Sequence, residues 1–417
     1  MKNYSNLNPH PSILLILSIS CALIVPLLVT GPFLPDLLLS SLSIYFLYFS
    51  IRYKIFSVYQ NFYLKIFIIF WLVCILSSLM SDAIFFSLKS SFFYIRIGIF
   101  ALLISYLIDQ HKKIIDYFYF AFLITFSSLI IDGTFQYFNG YNLIGQEILA
   151  NGARVSSFFG DELILGSYMV RLLPLCIALF FAREKKHKWE FFFFPLFLIL
   201  SSVLIFISGG RTSFFFLILS SMFLIFFLSR YKLIRISILI VSLFFVSLLI
   251  IKSPKLQERF IYSPIKDMGF NNSQKYIFTP SHDSLIKTAW NMFLDKPFIG
   301  HGPKLFRKKC MEQKYATGIF PCATHPHNFY IQLLAETGIV GFCFLAGVFI
   351  YLCYLMLRHL LSYLTHKKQY LSDYQICLLA GILITVWPIS TNGNFFNNHL
   401  MMIYGLQIGF FIKKNKR

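Results

Sequence analysis

Runs of about twenty consecutive apolar residues recur along the chain, and nothing else in the sequence restricts its fold as strongly. About twenty residues of helix cross the hydrocarbon core of a bilayer. Inside lipid, each backbone N–H and C=O must be satisfied within a helix or a closed barrel. Twelve such segments are read, at 13–30, 36–51, 62–80, 91–108, 115–138, 162–182, 190–208, 212–229, 234–251, 338–357, 374–390 and 398–412. Their lengths suit helices better than barrel strands. The fold class is therefore all-α, a polytopic integral membrane protein of about twelve transmembrane helices, the second short enough to be a tilted or partial crossing. Composition agrees: 57% of residues are hydrophobic and 13% charged, against about 45–50% and 25% in soluble domains.

The net charge of +20 does not point to nucleic acid, because of where it lies. Lysines and arginines gather in alternate connections: Arg52 and Lys54, Lys112 and Lys113, "REKKHK" (183–188), "RYKLIR" (230–235), Lys367 and Lys368, and the tail "KKNKR". The intervening connections "TGPFLPD" and "STNGNFFNN" carry almost none. This is the positive-inside pattern, and it puts both termini in the cytoplasm of an inner-membrane protein. Met1–Thr30 has a long apolar core and no small-residue cleavage site, so it reads as a retained first helix.

The organisation follows: N-terminal helices in 1–150, central helices with arginine segments in 151–251, a large periplasmic loop in 252–337, and C-terminal helices in 338–417. A connection as long as Lys252–Thr324 is more than a linker needs. Within it, Ser281 is a helix cap, and Leu285, Ile286, Ala289, Trp290, Phe293 and Leu294 follow on one face. Such a helix must lie on the bundle or on the lipid surface. Cys21, Cys74, Cys176, Cys343, Cys353 and Cys377 fall in spans, as packing residues. Cys310 and Cys322 share the external loop, where a disulfide is expected.

That loop ends in "CATHPHNFYIQLLAETGIVGF" (322–342). Pro326 suits the first turn of a helix, with Thr324 or His325 as cap and His327 at the positive end of the helix dipole. A positive potential lowers an imidazole pKa, leaving His327 neutral and able to accept a proton. Asn328, Gln332 and Glu336 follow at four-residue steps as one polar stripe, and Gly338 and Gly341 permit a bend. In the plainer alternative His327 only caps and the stripe faces water.

Arginine is the residue suited to bidentate phosphate binding. Arg211 follows a Gly-Gly turn in "FISGGRTSFFF", Arg259 lies in "KLQERF", and Arg154 in "NGARVSSFFGDELILG", all on the external face. Each alone reads as an ordinary surface arginine. Together, on the face that carries a candidate base, they read as an anion site. Arg96 and Asp132 sit at similar depth on neighbouring spans and are expected to form a structural ion pair, while Arg171 lies deeper, a functional candidate ranked below the others. Asp161 and Glu162 form the nearest acidic pair and could cap the next helix. The chain contains no G-x-x-x-x-G-K-[ST], H-E-x-x-H or C-x-x-C, and no D-x-D on the external face. No metal or other cofactor is expected, and arginines would neutralise a phosphate leaving group.

The run His327-Asn328, nine residues, Gly338, two residues, Gly341 resembles the H-[NSQ]-x9-G-x-x-[GTY] signature of bacterial O-antigen ligases. "SGGR" (208–211) resembles the S-G-x-R of the same superfamily, which includes O-antigen polymerases, and "RVSSFFGDELILGSY" its earlier arginine segment, with Asp161-Glu162 where many members have Pro-Asn. The resemblance implies a GT-C-like, metal-independent, inverting glycosyltransferase. Such an enzyme transfers a glycan from undecaprenyl pyrophosphate to lipid A–core at the periplasmic face, in lipopolysaccharide biosynthesis. It also implies His327 as general base and Arg211 and Arg259 as pyrophosphate ligands, with Arg154, Asn328 and Glu336 as further substrate-binding candidates. A polymerase joining lipid-linked repeat units is the alternative within this chemistry. A lipid-linked glycan flippase or exporter is the alternative of another class, disfavoured because transporters place their sites near the bilayer midplane and often show inverted repeats.

Overall fold

Helices occupy the apolar blocks. A computed structural model of the chain describes residues 9–269, 275–366 and 369–412; Lys367, Lys368 and the tail "KKNKR" fall outside them. The helices are α1 (Pro11–Ala22), α2 (Phe33–Arg52), α3 (Phe62–Leu79), α4 (Ile84–Phe92), α5 (Ile95–Gln110), α6 (Ile114–Asn139), α7 (Leu165–Ala182), α8 (Glu190–Ile207), α9 (Arg211–Phe227), α10 (Lys232–Lys252), α11 (Pro280–Asp295), α12 (Phe329–His366), α13 (Asp373–Thr385) and α14 (Asn398–Phe411). Eight stretches among the described residues are long and apolar enough to cross a membrane: α2, α3, α4 with α5, α6, α7, α8, α10 and α12. The stretch Pro11–Leu27, α9 and α13 are apolar but shorter. The molecule is an all-helical, multi-pass membrane protein.

Local chemistry sets the helix ends. At the C-terminus of α6, Gly140 takes the left-handed conformation (φ +82°), and its N–H reaches the Gln136 carbonyl at 2.9 Å. A capping box of Ser372 and Gln375 starts α13. α7 lies at the centre of the bundle, with 78% of its span buried, against α6, α9 and α13. α10 lies at the rim, with 11% buried.

The short basic connections gather at one end of the bundle. There Lys112 pairs with Glu184, Arg183 with Asp116 and Glu190, and Ser229 donates to Asp373. The connections 140–164, 208–210, 253–328 and 386–397 meet at the other end, and the candidate site is built from these.

Five expectations change. Arg96 faces α2, pairing with Asp36 at 2.6 Å and donating to Ser40 at 2.7 Å. Asp132 instead accepts from Leu143 N–H (2.9 Å) and the Ser157 hydroxyl (2.6 Å), clamping the 142–157 connection. The cap of α11 is Thr279, whose hydroxyl accepts His282 N–H, and not Ser281. The buried face of α11 is Leu285, Ala289 and Met292 with Ser284 and Thr288, leaving Trp290 and Leu294 exposed. The rotation has a polar cause: Ser284 and Thr288 hydroxyls accept the N–H groups of Ile319 and Thr317. α7 begins without a side-chain cap, and Asp161 accepts from Gln146 instead. Of the cysteines expected to pack within spans, Cys21, Cys74, Cys176 and Cys377 are buried, but Cys343 and Cys353 lie exposed on the outer side of α12.

Candidate functional site

The site has two corners. The first forms around the turn Ser208–Gly210 that joins α8 to α9. Gly209 has φ +67°, and a Cβ there would lie 2.7 Å from both the Ala153 carbonyl oxygen and Arg154 Cγ, so only glycine fits. Arg154 Nε donates to Ser208 O at 3.3 Å, and its NH2 group to Leu163 O at 3.2 Å. Arg259 sits in a π-helical turn, Glu258–Tyr262, and its Nε donates to Gly209 O. Such turns recur at functional sites. Arg211, the first residue of α9, donates from Nε to Arg259 O (3.0 Å), from NH1 to Asp267 (2.9 Å) and from NH2 to Ser263 (2.8 Å).

Three guanidinium groups thus share one corner, where Asp267 is the one carboxylate paired with them among the described residues. Burial first, then the charges of Arg259 and Arg211, push Arg154 down to about 10. Arg259 is lowered by burial and then by Arg211. Like charges held together without matching counter-ions are the electrostatics of an anion site.

The second corner holds three imidazoles. The ring centroids of His325 and His327 are 4.1 Å apart, and those of His327 and His282 are 5.2 Å apart. His282 comes from the first turn of α11, and sequence reading gave it no part in the site. Its place beside His327 is a long-range contact with no local signature.

His325 and His327 are not equivalent. His325 is buried, with Nε2 3.2 Å from the Asn392 carbonyl oxygen and Nδ1 2.8 Å from the Thr324 hydroxyl. A carbonyl only accepts, so Nε2 carries the proton and Nδ1 accepts from Thr324. Both nitrogens are committed. Burial and then His327 push His325 down to about 3. His327 is partly exposed, and burial lowers its pKa below the usual 6.5. It is the ring able to meet a substrate while neutral. His282, lowered to about 4 by burial, then by His327 and Arg211, feels both corners.

The expected capping is revised. The helix starts at Phe329, and Asn328 caps it: Oδ1 accepts Tyr330 N–H (3.0 Å) and Ile331 N–H (3.1 Å), while Nδ2 donates to Pro388 O (2.7 Å) and Ser390 O (3.2 Å). Asn is a stronger cap than His, which moves the start past Thr324, His325 and Pro326. His327 then lies just outside the helix, in the left-handed region (φ +58°), with its carbonyl accepting Asn392 N–H at 2.7 Å. Non-glycine residues held there concentrate at functional sites.

The polar stripe faces the bundle and not water. Gln332 Nε2 donates to Glu336 (2.9 Å) and Asn394 (2.9 Å), and Glu336 Oε1 accepts Phe306 N–H at 3.1 Å. Asn328 and Glu336 therefore scaffold the site, with their polar atoms engaged inside the protein. α12 breaks at Gly338 (φ +66°, ψ −168°), where the 297–302 turn packs against it.

Two contacts join the corners. The Thr212 hydroxyl, next to Arg211, lies 2.5 Å from that of Thr391. The neighbouring Asn392 holds the His327 carbonyl and the His325 ring, and its Oδ1 accepts from buried Arg171 at 2.8 Å. Arg171 therefore supports the histidine corner from within the bundle. Asn392 went unnoticed in the sequence, although the Asn-rich "STNGNFFNN" in so apolar a chain was a usable signal. Cys310 and Cys322 form a disulfide, Cα atoms 5.0 Å apart, just ahead of the histidines. Among the described residues, no group of three or more His, Cys, Asp or Glu side chains is arranged to hold a metal.

Residues 196–346 match the family model described as O-antigen ligase. That segment runs from α8 through Arg211, Arg259, His282 and His327 to just beyond Gly341, and its match supports placing the chain in the O-antigen ligase superfamily. No curated protein matches the sequence.

Proposed function

We propose that this chain of the O-antigen ligase superfamily is a glycosyltransferase that moves a glycan from undecaprenyl pyrophosphate to lipid A–core at the periplasmic face of the inner membrane. The arginine corner would hold the pyrophosphate, with Arg211 and Arg259 stabilising charge on the leaving oxygen and Arg154 completing the ring of cations. His327 would take the proton from the acceptor hydroxyl as its oxygen attacks the anomeric carbon. The new C–O bond forms as the bond from that carbon to the pyrophosphate oxygen breaks, inverting the centre. Undecaprenyl pyrophosphate leaves with the bonding pair, and His327 gives its proton to solvent.

One observation carries this reading. A neutral, partly exposed imidazole and three clustered guanidinium groups meet at one end of a membrane bundle, linked through Thr212–Thr391 and Asn392. A flippase would place its binding groups near the midplane, and these lie at helix ends.

The test uses purified protein in nanodiscs, supplied with an undecaprenyl-pyrophosphate glycan with and without lipid A–core. Glycan on lipid A–core, absent in His327→Ala, is the expected result. Chain extension on undecaprenyl pyrophosphate would replace ligase by polymerase. Full turnover by His327→Ala would remove the assigned base, and no new glycosidic bond in either mixture would reopen transport.

A further inference from the structure

A second group of cations, apart from the arginine corner, lies on the segment that the disulfide ties to the chain entering the histidines. The segment 303–310 is fixed at several points. Ser87 donates to Pro303 O (3.0 Å), Glu336 accepts Phe306 N–H (3.1 Å), Lys309 pairs with Asp82, and Cys310 is held by its disulfide. Between these anchors, Lys304 is partly buried in a left-handed conformation (φ +63°), and Arg307 is exposed.

Neither cation has an ion-pair partner among the described residues, although several cations nearby do. Lys296 and Lys309 share Asp82, Arg96 has Asp36, and Lys314 has Asp295. Two carboxylates bear on Lys304, and both are already engaged: Glu336 by Gln332 and by backbone N–H groups, and Asp36 by Arg96. An ammonium half withdrawn from water and facing no acceptor of its own is costly unless a ligand completes it.

The disulfide ties this segment to Cys322, three residues before His325, whose ring centroid lies 4.1 Å from that of His327. Arg211 bears on His282, and Arg307 bears on His325. The His327 ring contacts both His282 and His325, so its two neighbours feel different cations. A donor pyrophosphate at the arginine corner leaves the second group of cations for the acceptor.

We propose that Lys304 and Arg307 form a second anion subsite, which takes a phosphate group of the acceptor and so brings its hydroxyl to His327. This rests on the transferase reading above. Both acceptor chemistries compatible with that reading carry phosphate: a phosphorylated saccharide-lipid, or a second lipid pyrophosphate bearing a repeat unit. A rigid basic segment recognises either through charge-assisted hydrogen bonds.

The test is a binding titration by native mass spectrometry on the full chain in nanodiscs, comparing wild type with Lys304→Gln/Arg307→Gln. The probes are phosphorylated lipid A–core, the same lipid with its phosphates removed, and undecaprenyl pyrophosphate carrying one repeat unit. The double variant should bind phosphorylated lipid A–core about tenfold or more weakly, as expected for losing charged hydrogen bonds. It should bind the dephosphorylated lipid as wild type does and keep the first, tight equivalent of undecaprenyl pyrophosphate. Lys304→Arg/Arg307→Lys, which keeps both charges, should restore most of the affinity and exclude simple misfolding. Loss of only a second, weaker equivalent of undecaprenyl pyrophosphate would assign the subsite to a lipid-linked acceptor. Unchanged binding of all three probes, or equal weakening with and without phosphates, would overturn the subsite. Binding is read without turnover, so a wild type that binds but forms no glycosidic bond would refute the transferase reading alone.

Discussion

Replacing Gly338 by alanine should detach the external segment from the membrane bundle, and the structure sets the size of the effect. Gly338 has φ +66° and ψ −168°, a conformation almost confined to glycine, which costs another residue about 1–3 kcal/mol. A Cβ there would lie 2.2 Å from Phe298 O and 2.5 Å from Ile299 N. These are backbone atoms, so no side chain can swing aside. The two strands of chain would have to part by over an ångström at ordinary van der Waals separation, about 3.5 Å or more. Three bonds hold them together: Ile339 N–H to Pro297 O (2.8 Å), Gly302 N–H to Glu336 O (2.8 Å) and His301 N–H to Ala335 O (3.0 Å). At about 1 kcal/mol each, their loss with the backbone strain brings the local cost to roughly 4–6 kcal/mol. Hydrogen exchange of residues 297–306 in nanodiscs reads this directly, because it follows local opening without assuming two-state unfolding. Gly347, in the same helix, supplies the control. A Cβ there meets nothing within 4 Å, so Gly347→Ala should leave exchange unchanged or slightly slower. Wild-type protection and turnover in Gly338→Ala would refute the reasoning.

Arg211→Lys should reduce transfer by about a hundredfold or more, since a point charge cannot replace a fork that reaches Asp267, Ser263 and Arg259 O together; full turnover in the nanodisc assay would reduce Arg211 to a surface anchor. Asn392→Ala leaves Arg171 without its Oδ1 partner at a cost of about 1–3 kcal/mol, and should lower kcat with little change in donor KM; an unchanged kcat would show that His327 needs no such support. Burial lowers the His327 pKa below 6.5, so kcat/KM should fall as pH is lowered with a midpoint below 6.5; a midpoint at or above 6.5 would contradict the buried base. His282, His325 and His327 all bind protons less readily folded than unfolded. Stability of the external segment should therefore be full above about pH 6.5 and decline as pH falls toward 3, by hydrogen exchange; constant protection across that window would contradict the burial.

Much of the bundle was legible because lipid imposes a simple rule on length and polarity. α6, α7 and α8 fall close to where blocks of hydropathy put them. His327 and Arg211 were legible for a different reason: each sits in a short motif whose parts interact locally, His327 beside its cap Asn328 and Arg211 beside its glycine turn. Partnerships across the bundle were not. Arg96 and Asp132 read from the sequence as lying at similar depth, yet one turns toward α2 and the other toward its own following connection, and nothing in either segment encodes that rotation. His282 and Asn392 reach the site from segments 45 residues before and 65 residues after His327; nothing local marks His282, and the Asn-rich run around Asn392 marks a polar segment without showing where it packs. The face of α11 was misjudged because apolar periodicity omits serine and threonine, whose hydroxyls here receive the N–H groups of the disulfide-bridged segment.

The spacing of the histidine motif has a physical meaning in this fold. Asn328 caps the helix and Gly338 ends its first stretch, so the nine residues between them are that short helix, two and a half turns long. On it, Gln332 and Glu336 stand one and two turns above the cap, on the face that meets Asn394 and Phe306 N–H. The cap fixes His327 beside Asn392; the kink fixes the 297–302 turn, and with it the rigid segment that carries Lys304 and Arg307. One residue more or less between cap and kink would rotate the break by about 100° around the helix axis. The kink would then point away from the turn that fills it, even with every side chain of the two corners retained. The length of the motif thus sets the position of the base relative to both cationic groups, and the short helix acts as the ruler of the site.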